Sequence, residues 1–395
     1  MVEELRFPKV MLKPGEERRL RQGHLWVFSN EVAEVTGRPA AGDVVEVVDQ
    51  RGRSWGLAAF HPHSLITARL LGPDAHDLDV SFFRARLERA RALREVLFGD
   101  DASVYRLAYG ESDGLPGLVV DRYERVLVVQ IFSAAMERRK DVIVEVLTEL
   151  FQPDAVVERS DSHWRTLEGL PKVQGILLGR LQPPLQIELE GVRYRLDPLT
   201  GQKTGFFLDQ RWNRPALARY CRGRRVLDCF CHVGGFALHA AQAGADRVLA
   251  VDASETCIAE VAENARLNKV RIEAEKAEVF AFLEAEKARK RCWDVIVLDP
   301  PSLAPRRKDA AAARKAYRRL NRLALEILRE GGILATASCS EHVWEDVFYA
   351  EVRHAAADVR RVLQLLQRLH QAPDHPVLPA MPETAYLKMG IFRVL

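Results

Sequence analysis

The chain contains no long apolar run. No stretch approaches the about 18 residues that a membrane-spanning helix needs. Its first residues, Met1-Val2-Glu3-Glu4-Leu5, lack a basic end followed by an apolar stretch, so neither a secreted nor a membrane protein is expected. Cysteine is sparse: six in 395 residues, at Cys221, Cys229, Cys231, Cys257, Cys292 and Cys339. None forms a Cys-x-x-Cys pair or stands with histidine at zinc-finger spacing, so no metal site is expected. Free thiols in a reducing cytoplasm are the simpler expectation. An excess of one charge is also missing, with 58 basic and 55 acidic residues and a net charge of +3. A polyanionic partner must therefore be argued from local charge, not from the total. Internal repeats are absent, and only Ala310–Ala313 is compositionally biased. What is present is a globular balance, 48% hydrophobic and 29% charged, in a length that suits two or three domains.

Residues 1–73 read as a small β-rich unit. Val44–Asp49, Trp55–Phe60 and Ser64–Leu71 are close strands split by Gly and Asp turns, which points to a compact barrel. Gly72-Pro73-Asp74 marks a boundary. Residues 74–185 form a mixed central domain. Phe83, Leu87, Ala90, Leu93 and Leu97 recur at helical spacing, strands follow at 118–120 and 126–132, and a helix at 138–151. Pro183-Pro184 marks the next boundary. Residues 186–395 alternate strand and helix: strands end at Asp228, Asp252, Asp299 and Ala337, with helices over 234–243, 257–268 and 314–329. That rhythm predicts an α/β fold, a parallel sheet with helices on both faces.

The strand ending at Asp228 runs into Cys229-Phe230-Cys231-His232-Val233-Gly234-Gly235. Glycines here allow a ligand to approach the backbone, and a helix start favours negative groups. The next strand ends at Asp252, 24 residues later, where a carboxylate can accept from ribose hydroxyls. The dinucleotide spacing Gly-x-Gly-x-x-Gly is absent. An acidic strand end suits the ammonium of S-adenosylmethionine better than a pyrophosphate. Asp228, Phe230, Gly234, Gly235 and Asp252 are thus the expected cofactor residues. Glu278 joins them as an acceptor for the adenine amino group, and Asp299 closes the site.

Asp299-Pro300-Pro301-Ser302 follows a strand, and its prolines fix the backbone at the pocket rim. Amine methylases carry an aromatic after the two prolines; Ser302 stands there. Cys339, between Ser338 and Ser340, ends the next strand and faces the same crevice. A thiolate that attacks carbon 6 of a pyrimidine makes carbon 5 nucleophilic enough to take a methyl group. Glu383 is the expected base for the carbon-5 proton, with His375 second. From Arg306 to Glu330 nine basic residues face three acidic ones, and Lys287, Arg289, Lys290 and Arg291 add a second cluster. Beside the pocket, such charge predicts contacts to RNA phosphates. Arg18, Arg19 and Arg21 with Trp26 and Phe28 suggest the same for the first unit.

With these motifs in place the chain resembles, over essentially its whole length, the ribosomal large-subunit methyltransferase I type family. Gly23–Ser29 and Gly42–Val45 resemble its N-terminal PUA domain, and Ser112–Tyr123 its central α+β domain. Lys203–Arg211 is similar to the segment that enters its C-terminal Rossmann-like class I methyltransferase domain. The resemblance implies a cytoplasmic enzyme that uses S-adenosylmethionine to make 5-methylcytosine in 23S ribosomal RNA. Cys339 would be the nucleophile and Asp299 the group at cytosine nitrogen 3. Two departures stand out. Glu278 replaces a more usual Asp. Ser302 stands where a related family carries a second cysteine that helps release product. Two alternatives stay open: methylation of another RNA atom, such as a guanine nitrogen, and a non-catalytic RNA-binding assembly factor. A homodimer is also open, although no coiled coil or apolar stripe indicates one.

Overall fold

The computed structural model describes residues 7–201 and 203–395. The chain folds as two compact units. The first takes in residues up to Leu185, together with the later segments Leu196–Phe206 and Pro373–Thr384. The second comprises Gln186–Arg195, Phe207–Ala372 and Ala385–Leu395.

In the first unit, six strands form one sheet: β1 (Lys9–Leu12), β2 (Trp26–Phe28), β3 (Val32–Val35), β4 (Val44–Val48), β5 (Ser54–Phe60) and β6 (Ile66–Leu70). Their order is β2-β6-β5-β4-β1-β3. A five-stranded sheet follows, built from β7 (Val104–Tyr109), β8 (Leu118–Tyr123), β9 (Val126–Ile131), β10 (Ala155–Ser160) and β11 (Val173–Gly179), in the order β11-β10-β9-β8-β7. Strand alternation distributes β4 between two cores. Val45 and Val47 pack with Val10, Ala58 and Phe60, whereas Val44 joins Phe83, Leu107 and Leu127. That shared packing is why the β-rich segment and the central α/β segment fall in one unit.

The two later segments are held here by buried polar contacts. Thr204 donates its hydroxyl to Asp121 (2.6 Å). Arg159 donates to the carbonyls of Pro198 (2.6 Å) and Gly201 (2.8 Å). Arg94 donates to the carbonyl of Asp374 (2.7 Å).

The second unit opens with the hairpin β12 (Leu185–Leu189) and β13 (Val192–Leu196), whose outermost residues Leu185 and Leu196 count with the first unit, and then builds a seven-stranded sheet. Its strands are β14 (Arg225–Cys229), β15 (Arg247–Asp252), β16 (Glu273–Lys276), β17 (Trp293–Leu298), β18 (Leu328–Ser338), β19 (Leu363–His370) and β20 (Lys388–Val394). The order is β16-β15-β14-β17-β18-β20-β19. The first five are parallel; β20 runs antiparallel to both β18 and β19. The central strands are buried on both faces, which explains their continuous apolar runs. Leu227, Leu249 and Ile296 face one set of helices with Phe282, Tyr317 and Leu320. Val226, Ala250 and Val295 face the other with Phe236, Ala240 and Val261.

The strands and helices expected for this half are present, the helix before β18 starting at Ala310. Leu328 belongs to β18 because it pairs with Trp293 ahead of a register shift. Strand order reverses between β14 and β17, which opens a crevice at their carboxyl ends.

Candidate active site at the carboxyl edge of the sheet

Asp228 shares its strand face with Val226, so it points toward the helix Gly235–Gln242. Its Oδ2 accepts the N–H of Ala237 (2.9 Å). Its Oδ1 is buried and has no hydrogen-bond partner among the described residues. Burial pushes its carboxyl up to about 8; Asp299 and Asp252 push the same way, against the Ala237 N–H and Arg214. A buried, half-satisfied carboxylate ringed by two others is a seat for a cation. The ammonium of S-adenosylmethionine fits that requirement.

The loop after β14 is strained where a ligand would approach. Phe230 (φ 61°) and His232 (φ 50°) adopt left-handed backbone, as does Gly234 (φ 88°). Such geometry in non-glycine residues persists only when the surroundings enforce it. Asp252 does so: its Oδ2 accepts the N–H of His232 (3.0 Å) and its Oδ1 that of Ser254 (2.9 Å). Asn264 donates to the Val233 carbonyl (3.1 Å). A Cβ at Gly235 would stand 2.6 Å from Nε of Arg214, so the buried guanidinium needs the glycine. Cys229 and Cys231 are buried in the two cores, as packing residues are.

Asp299 emerges from β17 with its N–H directed at the Cys229 carbonyl (3.4 Å). Cys339 follows the last residue of β18, half-buried, with Sγ 3.9 Å from the Pro300 carbonyl. Strand β18 lies beside β17, so the thiol and the Asp-Pro-Pro turn share one edge. Ser340 ties them together. Its hydroxyl accepts the N–H groups of Leu303 (3.1 Å) and Ala304 (3.2 Å) and meets Ser302 Oγ (3.2 Å). Tyr317 bridges Ser340 and Ser338 through its hydroxyl, at 2.9 Å from each. Burial pushes that phenol up to about 12, so it remains a neutral hydrogen-bonding group. Tyr317 was not legible as a site residue, because a tyrosine at helical spacing reads as core.

Asp228, Asp252, Asp299 and Cys339 thus meet at one sheet edge. Glu278 is exposed and caps the helix Val279–Ala288, accepting from the Ala281 N–H (3.1 Å). Glu383 and His375 belong to the first unit. There Glu383 faces His24 Nε2 (3.5 Å), and the buried His375 meets Asp374 through Nδ1 (2.9 Å).

On the basic helix Ala310–Ile327 four arginines carry carboxylate partners. Arg314 pairs with Glu351, Arg318 with Asp358, Arg319 with Glu284 and Arg322 with Glu326. Lys287, Arg289 and Arg291 of the second cluster pair with Glu326 and Glu286. In the first unit Trp26 is half-buried and donates its indole N–H to Glu111 (2.8 Å), while Arg19 covers the Phe28 ring. Among the described residues, no helix is long and apolar enough to cross a membrane.

Comparison with known proteins places the chain in a family. Residues 10–73 match the model of a PUA-like domain, and residues 118–393 that of an S-adenosylmethionine-dependent methyltransferase. The chain is 42% identical over 393 residues to the ribosomal RNA large subunit methyltransferase I of Shewanella denitrificans, covering 98% of this chain and 99% of that one. The protein of the same description from Photobacterium profundum is 40% identical over 387 residues, covering 96% and 97%. A solved methyltransferase with S-adenosylhomocysteine bound superposes with a TM-score of 0.85 at 22% identity, over 98% of this chain and 99% of that one. A S-adenosylmethionine-dependent methyltransferase structure from Streptococcus mutans gives 0.84 at 20% identity, with the same coverage. These two show the fold.

Proposed function

The chain belongs to the ribosomal RNA large subunit methyltransferase I family of S-adenosylmethionine-dependent enzymes, and from that premise we propose that it methylates carbon 5 of a cytosine in 23S ribosomal RNA through a covalent adduct with Cys339. The observation that carries this reading is the half-buried Cys339 thiol beside the Pro300 carbonyl of the Asp-Pro-Pro turn, at the edge that also carries Asp228. An enzyme acting on a nitrogen has no use for a thiol at that place.

Asp228 and Asp252 hold the cofactor, with Gly234 and Gly235 admitting it to the backbone. When bound, S-adenosylmethionine supplies an electrophilic methyl group for carbon 5. Cys339 attacks carbon 6, forming an S–C bond while the 5,6 electron pair moves toward carbon 5. Asp299 holds or protonates nitrogen 3, which takes up the charge that develops in the ring. After carbon 5 has accepted the methyl group, a base removes its proton. The freed electron pair restores the 5,6 double bond and expels the thiolate. Glu383 is our candidate base on its place in the sequence. Ser302, unlike a second cysteine, contributes no thiol to product release. The setting for this chemistry is the cytoplasm, where ribosomal RNA and reduced thiols coexist.

Undermodified 23S ribosomal RNA incubated with labelled S-adenosylmethionine tests the proposal. Wild-type protein should label 5-methylcytosine, and Cys339→Ala should label nothing while still binding S-adenosylhomocysteine. Label in a purine, or equal turnover by Cys339→Ala, would overturn it.

A further inference from the structure

Lys388 is the only buried lysine among the described residues, 6% exposed. Strand β20 begins with it and places it opposite Ser338, the residue before Cys339. Its Nζ donates to the carbonyls of Ser340 (2.5 Å) and Tyr386 (3.1 Å). Among the described residues it forms no ion pair with a carboxylate. A buried ammonium held only by carbonyls is costly, and a methionine would fill the same space without that cost. Something else must favour a cation here. The groups that face it are Cys339, Glu341 and Glu345. Across β19, His370 stands opposite Lys388 and turns its ring to Glu345 (3.2 Å). Tyr317 lies on the Ser340 side, and Tyr349 donates to the neighbouring Met389 carbonyl (3.1 Å).

We infer that Lys388 is a positioning residue for Cys339: its ammonium fixes the Ser340 carbonyl, and with it the backbone that carries the thiol, and supplies the positive charge that favours the thiolate. Burial lowers Lys388 to about 8, against the opposing pull of Cys339, Glu341 and Glu345, so the side chain stays mostly charged at neutral pH. A cation beside a thiol lowers its pKa and raises its fraction of nucleophile. The inference rests on the reading of Cys339 as the nucleophile, but it can be tested without RNA.

The test is the rate of Cys339 alkylation by iodoacetamide, followed by peptide mass spectrometry between about pH 6 and 9. The full-length protein carries Cys292→Ser, which removes the exposed thiol, with Lys388 intact or changed to Arg or Met. With Lys388 intact, the midpoint should lie below the about 8.5 of an ordinary thiol. Lys388→Met should raise it by about one pH unit and slow labelling at neutral pH about tenfold, while Lys388→Arg stays near the parent. A parent midpoint at or above about 8.5, or an unchanged profile in Lys388→Met, would overturn the inference. If Lys388→Met fails to fold by circular dichroism, the parent midpoint and the Arg variant decide. Formation of 5-methylcytosine by the same proteins separates the two readings. Methylation without an alkylation shift removes the role of Lys388 alone. A shift without any 5-methylcytosine from the parent removes the carbon-5 reading alone.

Discussion

Replacing Asp228 by Asn probes the cofactor seat from two sides. The folded protein holds this carboxyl at about 8, against an ordinary value of 3.8. A carboxyl raised by folding contributes most favourably below its unfolded pKa, and that contribution is lost as pH rises toward the folded one. The window is therefore pH 4 to 8, and each pH unit within it costs about 1.4 kcal/mol. At pH 7 the accumulated cost is about 4 kcal/mol. Asn removes it but leaves an amide N–H where Oδ1 has no partner, which costs about 1–3 kcal/mol. The cofactor-free variant should thus melt above wild type at neutral pH, and the difference should widen from pH 5 to 8. Binding should respond oppositely. A ligand ammonium favours the ionised carboxylate, so binding to wild type releases a proton. The Kd for S-adenosylhomocysteine should fall up to about tenfold per pH unit on approaching pH 8, and this slope should vanish in Asp228→Asn together with most of the affinity. Thermal melts and calorimetric titrations at several pH values, in buffers of differing ionisation enthalpy, measure both. A pH-independent Kd in wild type, or parallel melting curves for the two proteins, would refute the assignment of Asp228 as the cation seat.

Tyr317→Phe removes the hydroxyl that joins Ser338 to Ser340. It should cost about 1–2 kcal/mol of stability and lower kcat more than cofactor affinity, as read by steady-state methylation beside S-adenosylhomocysteine titration. Glu278→Ala removes a helix cap and should lower stability by about 1 kcal/mol in thermal melts. An unchanged Kd for S-adenosylhomocysteine in that variant would leave the cap as its whole role, whereas a weakened one would support the adenine contact.

The parallel half of the fold was legible because its strands are short apolar runs separated by helices, a pattern that few architectures satisfy. The places of Asp228, Asp252 and Asp299 at the ends of strands were legible because each closes such a run. Long-range partnership was not legible. Charge counted along Arg306–Glu330 does not reveal its partners: the carboxylates that meet Arg314, Arg318 and Arg319 lie 37, 40 and 35 residues away in the chain. A local window does not contain them. The return of Leu196–Phe206 and Pro373–Thr384 to the first unit depends on Thr204 reaching Asp121 and Arg94 reaching Asp374, across 83 and 280 residues. Strand β19, Leu363–His370, has leucines at 363, 365, 366 and 369, which fit neither strict alternation nor a single helix face; its pairing with β20 decides its conformation.

The reversed strand at the end of the sheet explains why the thiol's surroundings draw on the C-terminus. A parallel strand in that place would bring its last residues to the carboxyl edge. Because β20 runs antiparallel to β18, its first residue, Lys388, comes opposite Ser338 at that edge. Strand β19, antiparallel to β20, ends at the same edge with His370. The chain between them therefore leaves and re-enters beside Cys339, and both of its ends are tied. Gln371 accepts from the N–H groups of Tyr386 (3.0 Å) and Leu387 (3.4 Å). Asp209 accepts the Ala372 N–H (2.8 Å) and the Tyr386 hydroxyl (2.6 Å). These ties fix Tyr386, whose carbonyl is one of the two that hold the Lys388 ammonium. If Lys388 positions the thiol, Asp209 bears on it without touching it: loosening Asp209 would free Tyr386, and through it the cation beside Cys339.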